Sequence, residues 1–101
     1  MTIEAAREAA EAARRQRRAL LGAVASGEVP ITDVTTDPRA ADVKAVAIAE
    51  VVPGIGKVRA RRALEASGIA PSALWSELTD QQRQRLVEAL TGAGGPPTSG
   101  P

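Results

Sequence analysis

A short glycine turn followed by a run of cations carries the clearest chemical signal in this chain. The stretch Pro53-Gly54-Ile55-Gly56-Lys57 opens a helix on which Arg59, Arg61 and Arg62 follow. Glycine permits a positive φ and a close approach of the backbone to another surface. The first amides of a helix have no partner within the helix and lie at the positive end of its dipole. Such a turn can bind a phosphate, with Lys57 beside it. The alternative is a tight connection between two helices with a solvated basic face.

A second group of cations lies nearer the N-terminus and comprises Arg14, Arg15, Arg17 and Arg18. The formal net charge of the chain is only +1, so the basic residues form two local patches on an almost neutral protein. Two such patches suit a polyanionic partner better than the total charge suggests. The arginines also have a simpler explanation, because a charge run often only keeps an alanine-rich helix in solution. The sequence leaves both interpretations open for this group.

The composition removes several kinds of catalytic and metal chemistry. The 101 residues include no histidine and no cysteine. The commonest general base, the commonest zinc ligand, thiolate metal sites and disulfides are therefore all missing. No clustered base and nucleophile stands out among the remaining polar residues. We therefore expect no metal, no cofactor and no enzymatic activity.

The chain is long enough for one small all-α domain with a core of Leu, Val, Ile and Ala. Residues 2–26 predict a long helix that Thr2 caps and Gly27 ends. Residues 2–18 have no wide apolar stripe, so this part of the helix is either held by a ligand or frayed. The first side chains that can anchor it are Leu20, Leu21 and Val24.

Two helices are predicted on either side of the glycine turn. Residues 28–42, which precede them, predict one short helix and a loop, with Pro38 as the helix breaker. A helix over 43–52 follows, and its spacing predicts a core face made of Ile48, Val51, Val52 and, beyond the helix, Ile55. The next helix runs from Gly56 to about Ser67, with Gly68 as its C-terminal cap and Ile69 as the apolar follower. Its predicted buried side consists of Ala60, Ala63, Leu64 and Ser67, and the cations lie on another side of the helix.

The last part of the chain predicts a short turn and one more helix. Pro71 and Ser72 open a helical turn that holds Leu74, Trp75 and Leu78. We expect Trp75, the only aromatic residue, in the core rather than stacked on a base. A capping box over residues 79–82 starts a helix through Leu90. No strand and no internal repeat is predicted.

These elements divide the chain into three predicted parts. Residues 1–27 form an N-terminal basic helix, residues 28–91 form the main domain, and residues 92–101 form a tail of Gly, Pro, Ser and Thr that we expect to be disordered. Residues 1–26 contain no apolar run long enough for a signal peptide or a membrane span. We expect a cytoplasmic monomer without a membrane partner.

The stretch from Pro53 to Ala60, with Gly68-Ile69 one helix later, resembles the actinobacterial integration host factor family. The likeness covers roughly residues 10–91 and includes the basic helix and the stretch from Lys44 to Val52. The resemblance implies a long N-terminal helix followed by a helix-two-turns-helix domain. It also implies a nucleoid-associated protein that binds duplex DNA through backbone contacts, with little sequence preference, in chromosome organisation, recombination or transcription.

Residue by residue, the resemblance implies DNA contacts in both basic patches. The family's turn matches Pro53, Gly54, Gly56 and Lys57, its next basic positions match Arg59 and Arg61, and its basic helix matches Arg14, Arg15, Arg17 and Arg18. Ile55 and Arg62 complete the candidate site. The chain departs from the family in having little lysine in its first helix and an acidic, breaker-rich segment at 28–42.

Three other interpretations use the same features. An RNA-binding protein of the small ribosomal subunit has the same architecture, but that class carries a basic C-terminal tail, and the tail here is uncharged. Some DNA glycosylase-lyases also contain this fold, but they use a zinc finger, and this chain has no cysteine. An adaptor that binds an acidic protein through the Arg-rich helix is the remaining alternative.

Overall fold

The N-terminal helix is as long as the sequence predicts. The computed structural model describes residues 2–92, and in it α1 spans Ile3–Ser26. The hydroxyl of Thr2 accepts a hydrogen bond from the amide of Ala5 at 3.0 Å, which caps the helix start. Gly27 ends the helix in the left-handed region with φ 82°. The predicted cap and stop are both confirmed.

The two halves of α1 differ in what they contact. Residues 2–11 are exposed on every side, as the missing apolar stripe predicts. Leu20 and Val24 are buried in the core of the following domain. The helix is therefore anchored only by its C-terminal turns, and its first turns extend from the domain as a continuous helix. The end of α1 belongs to the core of the following domain, so the helix is not separate from it. The predicted boundary after residue 27 stays a prediction.

The acidic segment after α1 is more regular than the sequence suggests. It forms α2 (Ile31–Val34) and a first 3-10 helix (Pro38–Ala40). The predicted short helix is present as α2, which ends before Pro38. Pro38 starts a separate helical turn that the sequence did not predict, because a proline fits the first position of such a turn, where no amide is needed. Asp37 caps this turn by accepting a bond from the Arg39 amide at 2.9 Å.

Asp37 and Arg39 also form the best-defined ion pair of this segment. The Arg39 guanidinium donates to both carboxylate oxygens of Asp37, and Nη2 lies 2.8 Å from Oδ2. These hydrogen bonds hold the pKa of Asp37 below its ordinary value, although partial burial opposes the shift. The same pair raises the pKa of Arg39.

Two helices flank the glycine turn, close to the predicted bounds. α3 spans Ala45–Val51 and α4 spans Gly56–Ala66. Residues 43 and 44 are not helical, because Lys44 pairs with Leu74 in an isolated antiparallel bridge, an interaction that the sequence does not reveal. α3 and α4 pack against each other, and the alanines of α4, Ala60 and Ala63, are buried. Such small side chains let the two helix backbones lie close together.

The end of α4 follows the predicted cap. The Ile69 amide bonds to the Leu64 carbonyl at 2.9 Å, and the Gly68 amide bonds to the Glu65 carbonyl at 3.1 Å. This pair of bonds is the Schellman motif, with Gly68 at φ 70° and Ile69 buried. Ser67 is buried and its hydroxyl donates to the Ala63 carbonyl at 2.8 Å.

The chain then closes the core with a second 3-10 helix (Trp75–Glu77) and α5 (Asp80–Thr91). The predicted capping box is present, because Thr79 and Gln82 bond reciprocally at 2.9 and 3.0 Å. The predicted turn opens later than expected, since Leu74 pairs with Lys44 before the 3-10 helix begins. Of the predicted tail, Gly92 is the last described residue and caps α5, and residues 93–101 lie outside the described range.

The core lies where the end of α1 meets α3, α4 and α5. Its largest fully buried side chains are Leu20, Val24, Val34, Ile48, Leu64 and Leu86. Trp75 is 3% exposed, which confirms its predicted place in the core. The prediction for Val51, Val52 and Ile55 is only half right: they are partly buried and pack on the rim of the core, because the turn that they border lies at the surface.

The observed fold is all-α, with a long N-terminal helix ahead of a compact helical domain. Within residues 2–92 no helix is long and apolar enough to cross a lipid bilayer.

Candidate nucleic-acid interface

The turn between α3 and α4 is built by one proline and two glycines. α3 ends at Val51, and the Ile55 amide bonds back to the Val52 carbonyl at 3.1 Å. Pro53 and Gly54 occupy the two central positions, and Gly54 has φ 81°, the pattern of a type II turn. Gly56 then starts α4 with φ 73°. Two left-handed residues within three positions explain why glycine stands at both.

Both glycines face open space. A Cβ atom added to Gly54 or Gly56 would meet no other atom within 4 Å. Internal packing therefore does not require glycine at these two positions. Only the backbone angles require it. The surface beside the turn stays bare and accessible to an outside group.

The start of α4 has no internal cap. Ile55 occupies the N-cap position, and no side chain bonds to the first amides of the helix. No acidic residue lies in the first turn. An uncapped helix start favours an anion through its unpaired amides and its dipole. The sequence supplies a cation at the same place, because Lys57 follows Gly56 directly.

The cations of α4 divide into free and engaged side chains. Lys57 and Arg62 are exposed and make no hydrogen bond or ion pair within residues 2–92. Nη1 of Arg59 donates to the Gly54 carbonyl at 3.3 Å, which places this guanidinium beside the turn. Nε of Arg61 lies 3.9 Å from Oε2 of Glu50 on α3. The site therefore contains one acidic residue, Glu50, that sequence analysis missed, because its contact with Arg61 depends on how α3 packs against α4.

Val58 is an exposed apolar residue among these cations. Its side chain is 65% accessible, and it lies between Lys57 and Arg59 on the solvent side of α4. An apolar side chain on a basic surface can contact sugars or base edges while the cations contact phosphates. The sequence prediction for this site did not include it.

The arginines of α1 form a separate basic surface. Arg14, Arg17 and Arg18 line a groove against Lys44 and Asp42, whereas Arg15 is exposed outside that groove. No hydrogen bond or ion pair among the described residues joins these arginines to the turn at 53–56. Lys44 and Asp42 were not among the predicted site residues. The sequence does contain a signal for the α1 side of the groove, because Arg14, Arg17, Arg18 and Leu21 are spaced to lie on one helical face.

The described residues give no support to a metal site. Nowhere in residues 2–92 do three His, Cys, Asp or Glu side chains gather in a metal-binding group.

Known proteins resemble this chain in sequence and in fold. Residues 24–90 match the family model described as the S13-like H2TH domain. Two curated proteins, both called integration host factor, are similar to most of the chain. The protein from Mycobacterium tuberculosis is 36% identical over 93 residues, which cover 88% of this chain and 89% of the relative. The protein from Mycolicibacterium smegmatis is 36% identical over 88 residues, which cover 83% and 84%.

The chain belongs to the integration host factor family.

A solved structure extends the comparison to three dimensions. The structure of sIHF bound to an 8bp palindromic DNA superposes with a TM-score of 0.71 at 30% sequence identity. The match covers 78% of this chain and 93% of that one. The fold implied by the resemblance, a long helix followed by a helix-two-turns-helix domain, is confirmed.

Proposed function

We propose that this chain is a non-catalytic, double-stranded DNA-binding protein of the nucleoid that acts through contacts with the phosphate backbone. The observation that carries the proposal is the bare glycine turn, which leads into an uncapped helix start with free cations beside it. The DNA-bound relative supports the same partner. We further propose that the protein serves chromosome organisation, recombination or transcription as a monomer.

Each part of the turn has a distinct role in this proposal. Pro53 and Ile55 hold the turn, while Gly54 and Gly56 let a phosphate approach the first amides of α4. Lys57, which is free, neutralises that phosphate. The cations that neutralise neighbouring phosphates are Arg59, Arg61 and Arg62. On α1, the corresponding contacts come from Arg14, Arg15, Arg17 and Arg18.

Low sequence preference follows if the cations of this surface contact phosphates rather than base edges. Phosphate contacts position a protein without reading bases. The turn region offers no exposed Asn or Gln, the side chains that read adenine. A mild preference can come from DNA shape, since arginine favours a narrow minor groove.

The salt dependence of binding tests the proposal. With roughly four to six phosphates neutralised, log affinity should fall against log salt with a slope of about −4 to −5. Lys57→Ala should reduce that slope by about one unit. Arg85→Ala is the matched control: Arg85 is also exposed, but it lies on α5 away from the turn in sequence, and its removal should leave the slope unchanged. An affinity that does not depend on the salt concentration, in the parent chain and in Lys57→Ala alike, would contradict backbone binding.

The same assay separates the alternatives. Duplex DNA, duplex RNA and an acidic protein are compared at equal salt. RNA is the main alternative partner, because residues 24–90 match an S13-like domain. Tighter binding of RNA than of DNA would overturn the proposed partner. Binding of the acidic protein alone would instead favour an adaptor. Two random DNA duplexes of equal length should differ by less than about tenfold, or ~1.4 kcal/mol.

A further inference from the structure

A groove between α1 and the start of α3 combines free cations with an apolar floor. Its volume is about 510 Å³. Arg14, Arg17 and Arg18 line one side and Lys44 lines the other. The floor consists of Leu21, Val43, Ala47 and Leu74. Phosphates that contact the cations alone would leave this floor uncovered.

The cations of the groove are unoccupied by internal partners. Within residues 2–92 the side chains of Arg14, Arg17, Arg18 and Lys44 make no hydrogen bond or ion pair. Asp42, the single acid in the groove, is equally free. Five charged groups that line one concave, largely apolar surface without pairing are therefore available to an outside ligand. Four of them require that ligand to be an anion.

The dimensions of the groove favour a small molecule as its ligand. From Arg14 to Leu21 the chain advances by about seven residue steps of α1, or about 10 Å along the helix axis. The volume falls in the range typical of small-molecule sites. A stable protein partner would need about 800 Å² on this side, far more than a groove of this length offers. A base in intact duplex DNA is stacked within the helix and does not reach the floor, whereas a free nucleotide can place its base there.

We propose that this groove binds a guanine nucleotide that carries two or more phosphates. The phosphates lie among Arg14, Arg18 and Lys44, and the base packs on the apolar floor with Arg17 across its face, because guanidinium groups stack on aromatic rings. Asp42 selects guanine, since guanine presents two adjacent N–H donors to one carboxylate. Adenine presents an acceptor beside its single amino group at that edge. This proposal does not rest on DNA binding, because the ligand is free.

Direct binding without DNA tests it. Equilibrium dialysis of the full chain against GDP, GTP, ATP and inorganic tripolyphosphate compares the ligands at one ionic strength. GTP should bind at least about tenfold more tightly than tripolyphosphate, a difference of ~1.4 kcal/mol. GTP should also bind more tightly than ATP. Equal binding of GTP and tripolyphosphate would overturn the proposal, because it would reveal only a cationic surface.

Variants distinguish the groove from the rest of the basic helix. Arg18→Ala should weaken GTP binding about tenfold, whereas Arg15→Ala removes a neighbouring charge outside the groove and should change it less than about twofold. Asp42→Ala should act in opposite directions on two ligands. It should strengthen tripolyphosphate binding by removing a repulsive charge, and it should abolish the preference for GTP over ATP. Equal losses in Arg18→Ala and Arg15→Ala would place the site elsewhere.

The outcome is separable from the proposed function. Gly56→Glu alters the turn and should leave GTP binding intact. If duplex DNA binds and GTP does not, only the nucleotide site is wrong. If GTP binds and duplex DNA does not, only the backbone-binding proposal is wrong. When both bind, GTP should lower DNA affinity in the parent chain, because both ligands use the arginines of α1.

Discussion

Gly56→Glu should abolish tight DNA binding while the domain stays folded. Gly56 has φ 73°, and a Cβ atom there meets nothing within 4 Å. The folding cost is therefore only that of a left-handed non-glycine residue, about 1–2 kcal/mol. A domain of ordinary stability, about 5–15 kcal/mol, tolerates that loss.

The loss of binding should be larger than the loss of stability. The new side chain enters the open space that a phosphate needs, and its carboxylate repels that phosphate or occupies the first amides of α4. Losing a hydrogen-bonded contact to a charged group costs about 2–3 kcal/mol, which corresponds to a 30- to 150-fold rise in Kd. Gly56→Ala has the same backbone cost without the charge and should lose about fivefold.

Fluorescence anisotropy of a labelled duplex measures binding, and Trp75 fluorescence follows unfolding in urea. Gly27→Glu is the matched control. Gly27 is also left-handed, with φ 82° and open space around it, but it lies at the end of α1 and not in the turn between α3 and α4. It should lose similar stability and keep DNA affinity. Parental affinity in Gly56→Glu, together with a native unfolding transition, would refute the phosphate-binding turn. The basic helix would then have to bind DNA alone.

Three further outcomes are expected. Because its pKa lies below its ordinary value, Asp37 contributes stability that is present at neutral pH and is lost as the pH falls below about 4. Acid titration of the unfolding free energy should show a smaller fall in Asp37→Asn than in Asp33→Asn. Glu50→Gln should raise DNA affinity about threefold by releasing Arg61, whereas Glu88→Gln, with the same charge change on α5, should not; equal gains would point to net charge alone. Circular dichroism should show more helix when DNA is added, since residues 2–11 pack on nothing; removing residues 2–13 should leave the fold intact and eliminate that gain.

Local signals in the sequence were sufficient for most helix ends. Thr2, the capping box at Thr79 and the Schellman cap at Gly68 each act through bonds within a few residues, so they can be predicted without knowing the fold. The left-handed glycines of the turn belong to the same class, because their φ values depend on the local backbone. Trp75 was also predictable, since the neighbouring leucines indicated a buried segment.

The failures occur where one part of the chain meets a distant part. The sequence predicts the start of α3 two residues too early, because it does not reveal that Lys44 pairs with Leu74, thirty residues later. Val51, Val52 and Ile55 have the periodicity of a core face, but periodicity does not say how far from the surface that face lies.

The sequence by itself determined the all-α class, the bare basic turn and the two groups of cations, because spacing and residue type control these within one or two helical turns. Only the tertiary structure decided which cations are free. The packing of α3 on α4 brings Glu50 to Arg61 and leaves Lys57 unpaired. The packing of α1 on α3 turns three arginines toward Lys44 and an apolar floor, and leaves Arg15 outside. Charge is a property of residues, but its availability to a ligand depends on which distant side chains the fold places beside it.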